Sequence, residues 1–243
     1  MPLVRDYEQT QELYSLCAAS NLTMARIGYS DQDQIQAIVR GAARFAADHS
    51  ISRLPIGIFV TVGHYIMQQL PRYLTADHVL PSNGGDTREY HRRLFLNARL
   101  ATDFMEVFTD PADSDFGSVC ITHHYDHGHH TLPGGKVSPN ELLRDVDFLR
   151  FFSSVMFDDT HSPFEKNVEN SIAYRKFLEE SGSRKVLEGC LEEVGAAGLG
   201  EQGTAFTDPT QIEQYLESTG FELVVPNIGT ESIHAKPVGV QWD

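Results

Sequence analysis

Five of the chain's eleven histidines fall in one short stretch, Thr122-His-His-Tyr-Asp-His-Gly-His-His130. Neutral imidazoles bind Zn²⁺, Co²⁺ or Fe²⁺, and a carboxylate among them can join as a ligand or move a proton. The stretch directly follows an apolar run that ends at Ile121. Within it, His124 and His127 bracket Asp126, while His123, His129 and His130 read as accessory or exposed. This predicts a metal-ion site around His124-Tyr125-Asp126-His127.

Other chemistries lack their residues. No Gly-x-Ser-x-Gly elbow or Walker loop is present, which removes support for acyl-serine chemistry and P-loop nucleotide hydrolysis. No lysine stands at a strand end suited to a Schiff base, since Lys185 enters its strand from the wrong side. His64 follows the second predicted strand and reads as a structural histidine.

The elements that must position the cluster alternate between helical and strand-like periods. A helix is predicted over 7–19 and a strand over 22–29. Ser30 or Asp31 caps a helix with Ile35, Ile38, Val39, Ala42 and Phe45 on one face. The apolar run Pro55 to Val62 reads as a strand buried on both faces. After an irregular excursion over 63–89, a helix runs from about Thr87 to Val107. Ser118 to His123 is the third strand and His124 to Pro139 a loop. A helix at 140–149 precedes a fourth strand, Ser154 to Phe157. A helix over 164–180 leads to a fifth strand starting at Lys185 to Leu187. Gly189 to Thr207 reads as a mobile loop. Asp208 caps the next helix with Pro209 at its first position, and Phe221 to Ile228 is the sixth strand. Six strand–helix alternations predict a parallel sheet with helices outside. The first strand is followed by no Gly-x-Gly-x-x-Gly turn, which disfavours a dinucleotide-binding fold. No repeat or linker divides the chain, so residues 1–243 read as a single domain.

Composition sets outer bounds. The chain has 34 acidic and 19 basic residues, a formal net charge of −15. The densest basic stretch, Arg88 to Arg99, holds four arginines and reads as a helix face. No nucleic-acid partner is expected, because such binding needs a basic patch. Three widely spaced cysteines, Cys17, Cys120 and Cys190, suggest free thiols and a reducing compartment. No signal peptide and no apolar stretch of about 18 residues is visible, so the expectation is a soluble cytoplasmic protein without a membrane partner.

At the histidine cluster the sequence resembles the class II, metal-dependent fructose-bisphosphate and tagatose-bisphosphate aldolases, which carry His-x-Asp-His at the end of a strand. Two more stretches fit in order. Ser154-Val-Met-Phe-Asp158-Asp-Thr-His-Ser-Pro-Phe-Glu165-Lys-Asn167 resembles the family's fourth-strand segment, where Ser-Val-Met, an Asp and Pro-Phe-Glu-x-Asn recur. Asn227-Ile-Gly-Thr230 resembles its sixth-strand Ile-Gly-Thr motif. Thr207-Asp-Pro, Thr219-Gly220 and the weaker Gln36-Ala37-Ile38 also match.

The resemblance implies a (β/α)8 TIM-barrel fold and a metal-dependent aldehyde-lyase acting on a ketose phosphate. It implies Asp126 as the residue that gives a proton to the aldehyde carbonyl oxygen and His127 as a ligand of the catalytic metal, Zn²⁺ or a similar divalent ion. Asp158 matches an acidic residue near a second metal position. Glu188 is the acidic ligand candidate at the fifth strand; the family's next glutamate is Cys190 here. His234 stands two residues late for the second histidine ligand. Gly229 and Thr230 are the groups available for substrate phosphate. The family's last two strands, with a third histidine and a phosphate-binding turn, have no counterpart before Asp243. Two other readings stay open: a metal-dependent hydrolase or isomerase on the same fold, and a non-catalytic relative acting as an assembly or regulatory partner. An incomplete barrel exposes apolar edges on its first and sixth strands, which predicts a homo-oligomer, most simply a dimer.

Overall fold

The computed structural model describes residues 3–29, 31–61, 87–109, 114–127, 129–132, 136–139, 141–160, 162–191 and 207–226. In chain order the elements are β1 (Leu3–Val4), α1 (Tyr7–Ala19), β2 (Arg26–Gly28), α2 (Gln32–Asp48), β3 (Leu54–Thr61) and α3 (Thr87–Phe108). Next come β4 (Val119–Asp126), β5 (His129–Leu132), β6 (Lys136–Pro139), α4 (Val146–Leu149), β7 (Ser154–Asp158) and α5 (Phe164–Glu180). The last are β8 (Val186–Cys190), α6 (Pro209–Thr219) and β9 (Leu223–Val225). Short 3₁₀ turns lie at Ser114–Phe116 and Glu141–Arg144.

The six main strands lie in the order β2-β3-β4-β7-β8-β9, every neighbouring pair parallel. Spatial order therefore follows chain order. A doubly wound sheet reverses direction midway, whereas a barrel does not. The sheet is a curled, barrel-type half; closure of a full eight-stranded barrel is not among the described residues. Right-handed twist gives such a sheet its curl. The side chains of one face, Ile58, Val60, Ile121, Tyr125, Val155 and Leu187, join one core with Ile35, Val39, Met105, Leu178 and Tyr215 from the helices. The opposite, concave face carries polar residues.

Helix starts follow the sequence. Asp6, Asp31 and Asp208 each accept a hydrogen bond from a backbone amide of the first turn, which satisfies an otherwise unpaired donor. Helix α6 ends at Gly220 with φ 66°, a left-handed value that glycine tolerates. Strand ends follow it less closely. β4 runs three residues past His123, so His124, Tyr125 and Asp126 belong to the strand and not to a loop. The segment beyond it is an antiparallel hairpin, His129↔Pro139 to Leu132↔Lys136. β8 reaches Cys190, so Glu188 and Gly189 lie inside the strand. β2 is confined to three residues.

β1 was not expected. It pairs with Ile121 and Thr122, and β7 takes over beside β4 at His124. Ser153 Oγ donates to the Val4 carbonyl, and Lys185 Nζ donates to the carbonyls of Phe152 (2.7 Å) and Arg5 (3.2 Å). Helix α1 then crosses the N-terminal ends of the strands. Tyr7 Oη donates to Glu222 just before β9 (2.7 Å), and Glu12 pairs with Arg53 just before β3 (3.0 Å). The opposite rim is formed by the C-terminal ends of the strands. Cys17 and Cys190 are buried, Cys120 is half-buried, and all three are free thiols. Among the described residues no helix is long and apolar enough to cross a membrane.

Candidate metal and acid–base site

Side chains alternate between the faces of a strand. Extending β4 to Asp126 therefore sends Thr122, His124 and Asp126 to the concave face, and His123 and Tyr125 to the other. The register then sets the neighbours. His124 lies beside Ser154, and Met156 lies beside Glu188.

His124 is 1% exposed. Its Nδ1 is 2.8 Å from Ser154 Oγ. Its Nε2 has no hydrogen-bond partner. That nitrogen faces Glu188 Oε1 at 3.5 Å and Asp126 Oδ1 at 3.9 Å. Glu188 is itself buried, and its Oε2 is clasped by Arg26 Nη1 from the far strand β2. Arg26 Nη2 also donates to Tyr14 Oη at 2.8 Å. Glycine at 57 makes room for this arginine, because a Cβ there would lie 2.6 Å from Arg26 Cγ. Burial opposes the charge on Glu188. His124 and the Arg26 guanidinium outweigh it and hold the carboxyl down at about 2.

His127 sits one residue past the strand with φ 52°, in the left-handed region. Its Nδ1 is 2.7 Å from Asp158 Oδ2, and its amide donates to Met156 Sδ at 3.3 Å. Its Nε2 lies 3.9 Å from Asp126 Oδ2. Burial opposes the charged imidazolium, but Asp158 and Asp126 outweigh it and raise His127 to about 9. Asp158 also closes its own turn, its Oδ1 accepting from Thr160 N at 3.2 Å and Oγ1 at 2.8 Å. One carboxylate thus fixes a turn and an imidazole together. Metal-binding histidines are commonly oriented by a carboxylate in this way.

The structure brings together Asp126, His127, Asp158 and Glu188 of the sequence-predicted residues. Gly229, Thr230 and His234 lie outside the described residues, as do Asn227 and His64 and the side chains of His129 and His130. His123 is a core residue. Its Nδ1 donates to the Phe151 carbonyl at 3.0 Å, which leaves Nε2 to accept from Tyr29 Oη at 3.0 Å. Burial pushes it down to about 3, so it stays neutral. Within the Pro-Phe-Glu-x-Asn stretch, Asn167 Nδ2 holds the Cys190 carbonyl at 2.8 Å and so fixes the end of β8. Sequence reasoning placed His124 at the metal site without giving it a ligand role, and it missed Arg26 as a partner. The signal for His124 is the i, i+2 spacing with Asp126, once the strand is extended. For Arg26 it is a lone arginine in an otherwise weakly polar strand.

His124, Asp126 and Glu188 each offer one ligand atom, and these atoms lie within 4.8 Å of one another. One imidazole nitrogen and two carboxylate oxygens suit a divalent transition metal.

The sequence profile described as "Fructose-bisphosphate aldolase class-II" matches residues 8–240. The chain belongs to this family. That match covers the described site and also the positions of Gly229, Thr230 and His234. A fructose-bisphosphate aldolase of Staphylococcus epidermidis is 35% identical over 88 residues, 34% of this chain and 28% of that protein. The fructose-bisphosphate aldolase of Staphylococcus aureus is 33% identical over 85 residues, with the same shares covered. A crystal structure of a Campylobacter jejuni fructose-bisphosphate aldolase superposes with a TM-score of 0.64 at 15% identity. That superposition covers 99% of this chain and 62% of the Campylobacter protein. It speaks for the fold alone. The chain matches about a quarter of the curated relatives' length in sequence and under two thirds of the solved one in structure.

Proposed function

We propose that the protein is a metal-dependent aldolase, an aldehyde-lyase that cleaves or forms a C–C bond in a ketose phosphate. The observation that carries this reading is Asp126, a carboxylate on the concave face at the C-terminal end of β4, within a family whose members are metal-dependent aldolases. Barrel-type enzymes work at that rim.

A divalent ion bound at that rim, Zn²⁺ first, would supply Lewis acidity toward a carbonyl oxygen. His127 with His234 would hold it. Asp158 fixes the His127 ring through Nδ1, which leaves Nε2 on the Asp126 side. Asp126 carries the proton to and from the aldehyde oxygen, half-shielded from water by the strand ends. The backbone at Gly229 and Thr230 would take part in binding the phosphate. The net charge of −15 works against an anionic substrate, so local groups and the ion must outweigh that field. The barrel domain spans 1–243, and the protein works in the cytoplasm as a homo-oligomer.

The test is release of triose phosphate from fructose 1,6-bisphosphate by the Zn²⁺-reconstituted protein. Turnover is expected in the wild type, and Asp126→Asn should lower kcat by about 10²- to 10⁴-fold, the range for loss of a positioned acid–base group. Absence of C–C cleavage by the fully metallated wild type would sink the reading. Release of inorganic phosphate in its place would point to a hydrolase.

A further inference from the structure

Strands β3, β4 and β7 separate β2 from β8 in the sheet, yet Arg26 of β2 meets Glu188 of β8. The arginine crosses the concave side over Gly57, where a Cβ would block it. Its Nη2 donates to Tyr14 Oη of α1 at 2.8 Å, and its guanidinium lies over the Tyr14 ring at 5.7 Å. Helix α1 crosses the N-terminal ends of the strands, whereas Asp126 stands at their C-terminal rim. A line of polar groups therefore joins the two ends: Tyr14, Arg26, Glu188, His124 and Asp126. The proposed reaction gives a step only to its last member. We propose that Arg26 is a positioning residue, one that holds Glu188 back from His124 and so keeps the His124 imidazole beside Asp126. Its effect on rate rests on the aldolase reading, and its geometry does not.

The distances carry this. His124 Nε2 faces Glu188 Oε1 at 3.5 Å and Asp126 Oδ1 at 3.9 Å, and it has no hydrogen-bond partner. A ring N–H beside a carboxylate ordinarily closes to about 2.7–2.9 Å. Glu188 does not close, because Arg26 holds its other oxygen. His124 does not move toward it either, since Ser154 Oγ lies 2.8 Å from its Nδ1. The ring nitrogen is thus left between two carboxylates. Asp126 keeps an imidazole on its Oδ1 side while its Oδ2 faces His127 Nε2 at 3.9 Å. Loss of the arginine upsets that balance. A buried carboxylate without its cation needs another partner, and the donor in reach is His124 Nε2. Closing that gap to an ordinary hydrogen bond takes about 0.7 Å, and it draws the imidazole off Asp126. A misplacement of about 1 Å in a reacting geometry can cost about 10²-fold in rate. Tyr14 acts one step further out, by fixing the pose of the guanidinium.

The experiment compares full-length wild type, Arg26→Met, Tyr14→Phe and Asp126→Asn, and each of the first two variants combined with Asp126→Asn, with circular dichroism to check folding. On fructose 1,6-bisphosphate, with Zn²⁺ supplied, Arg26→Met is expected to lower kcat by about 10- to 100-fold. Tyr14→Phe should lower it by about 2- to 30-fold, as for residues coupled to a site they do not touch. KM should stay close to the wild-type value in both. In the Asp126→Asn background both losses should vanish, because a residue that acts through Asp126 then has nothing left to act on. A residue that serves stability alone would show the same loss in either background. ¹⁵N-histidine spectra of the metal-free proteins read the geometry without turnover. The His124 Nε2 resonance should move in Arg26→Met and in Tyr14→Phe as the nitrogen closes on Glu188. Unchanged kcat, equal losses in both backgrounds or an unmoved His124 resonance would each overturn the proposal. If Arg26→Met fails to fold, Tyr14→Phe decides on the same readouts. If the wild type shows no C–C cleavage, the aldolase reading falls and the spectra alone decide whether Arg26 holds Glu188 off His124.

Discussion

At the scale of single residues, type and spacing announced Asp126 and His127 but concealed the groups that position them. A histidine-rich stretch is visible in any reading. The Arg26–Glu188 pair is not, because 162 positions separate its members and only the curl of the sheet joins them. Asp158, matched in sequence to an acidic residue near a second metal position, divides its two oxygens between Thr160 and His127. The Arg26–Glu188 pair gives a sharp stability prediction. Removing one partner of a buried pair strands the other charge, at about 3–5 kcal/mol. Arg26→Met should therefore destabilise the apo protein by about 3 kcal/mol near neutral pH. Glu188 titrates at about 2 when folded, below its ordinary 4.5. Its stabilisation is present above the unfolded value and is lost as pH falls through the folded one. The deficit of Arg26→Met should accordingly shrink on acidification. Urea unfolding at two pH values checks this, and a deficit that grows toward acid would refute it.

At the scale of elements, helices were legible and strand ends were not. Caps such as Asp208-Pro209 act locally, so sequence shows them. His124 and Asp126 near the end of β4 and Glu188 in β8 are polar because they face the concave interior. A reading that ends a strand at its last apolar residue stops too early at both places. β1 escaped for another reason: two residues form a strand here only because β4 offers a free edge below His124. The stretch from Gly189, read as a mobile loop, hid a further constraint. Gly189 lies in β8 beneath α6, and a Cβ there would meet the Tyr215 ring and hydroxyl at 2.3–2.5 Å. That hydroxyl bonds Ser171 at 2.7 Å, and Ser171 bonds Asn167 at 3.2 Å. Tyr215 cannot move without disturbing the anchor of β8. Gly189→Ala should cost at least the roughly 1–3 kcal/mol typical of overpacking, read as a lowered thermal midpoint. An unchanged midpoint would show that α6 slides freely over the strand.

At the scale of the whole molecule, the sheet order and the family match agree on a barrel-type curl, and the chain places apolar side chains near its β2 edge. Ile27 is 42% and Phe45 50% exposed. Sedimentation at micromolar concentration is expected to show a dimer, and a strictly monomeric species would count against self-association. The same scale explains how the N-terminus is held. Lys185 stands at the N-terminal end of β8, under the sheet, and ties β1 to β7 through the carbonyls of Arg5 and Phe152. Burial, helped by Arg5, lowers its ammonium from 10.5 to about 8. Between those values the unfolded chain binds more protons than the folded one. Stability from this group must then rise with pH across that window. From about pH 8 to about 9.5 the gain should be about 1.5 kcal/mol, from roughly 1.36 kcal/mol per pKa unit. Lys185→Met should remove that slope while lowering stability at every pH, because it strands two carbonyls. Urea unfolding of both proteins at the two pH values separates the effects. A wild type that loses stability relative to the variant over this range would mean that the lysine stays charged and well solvated, and that β1 is not seated as described.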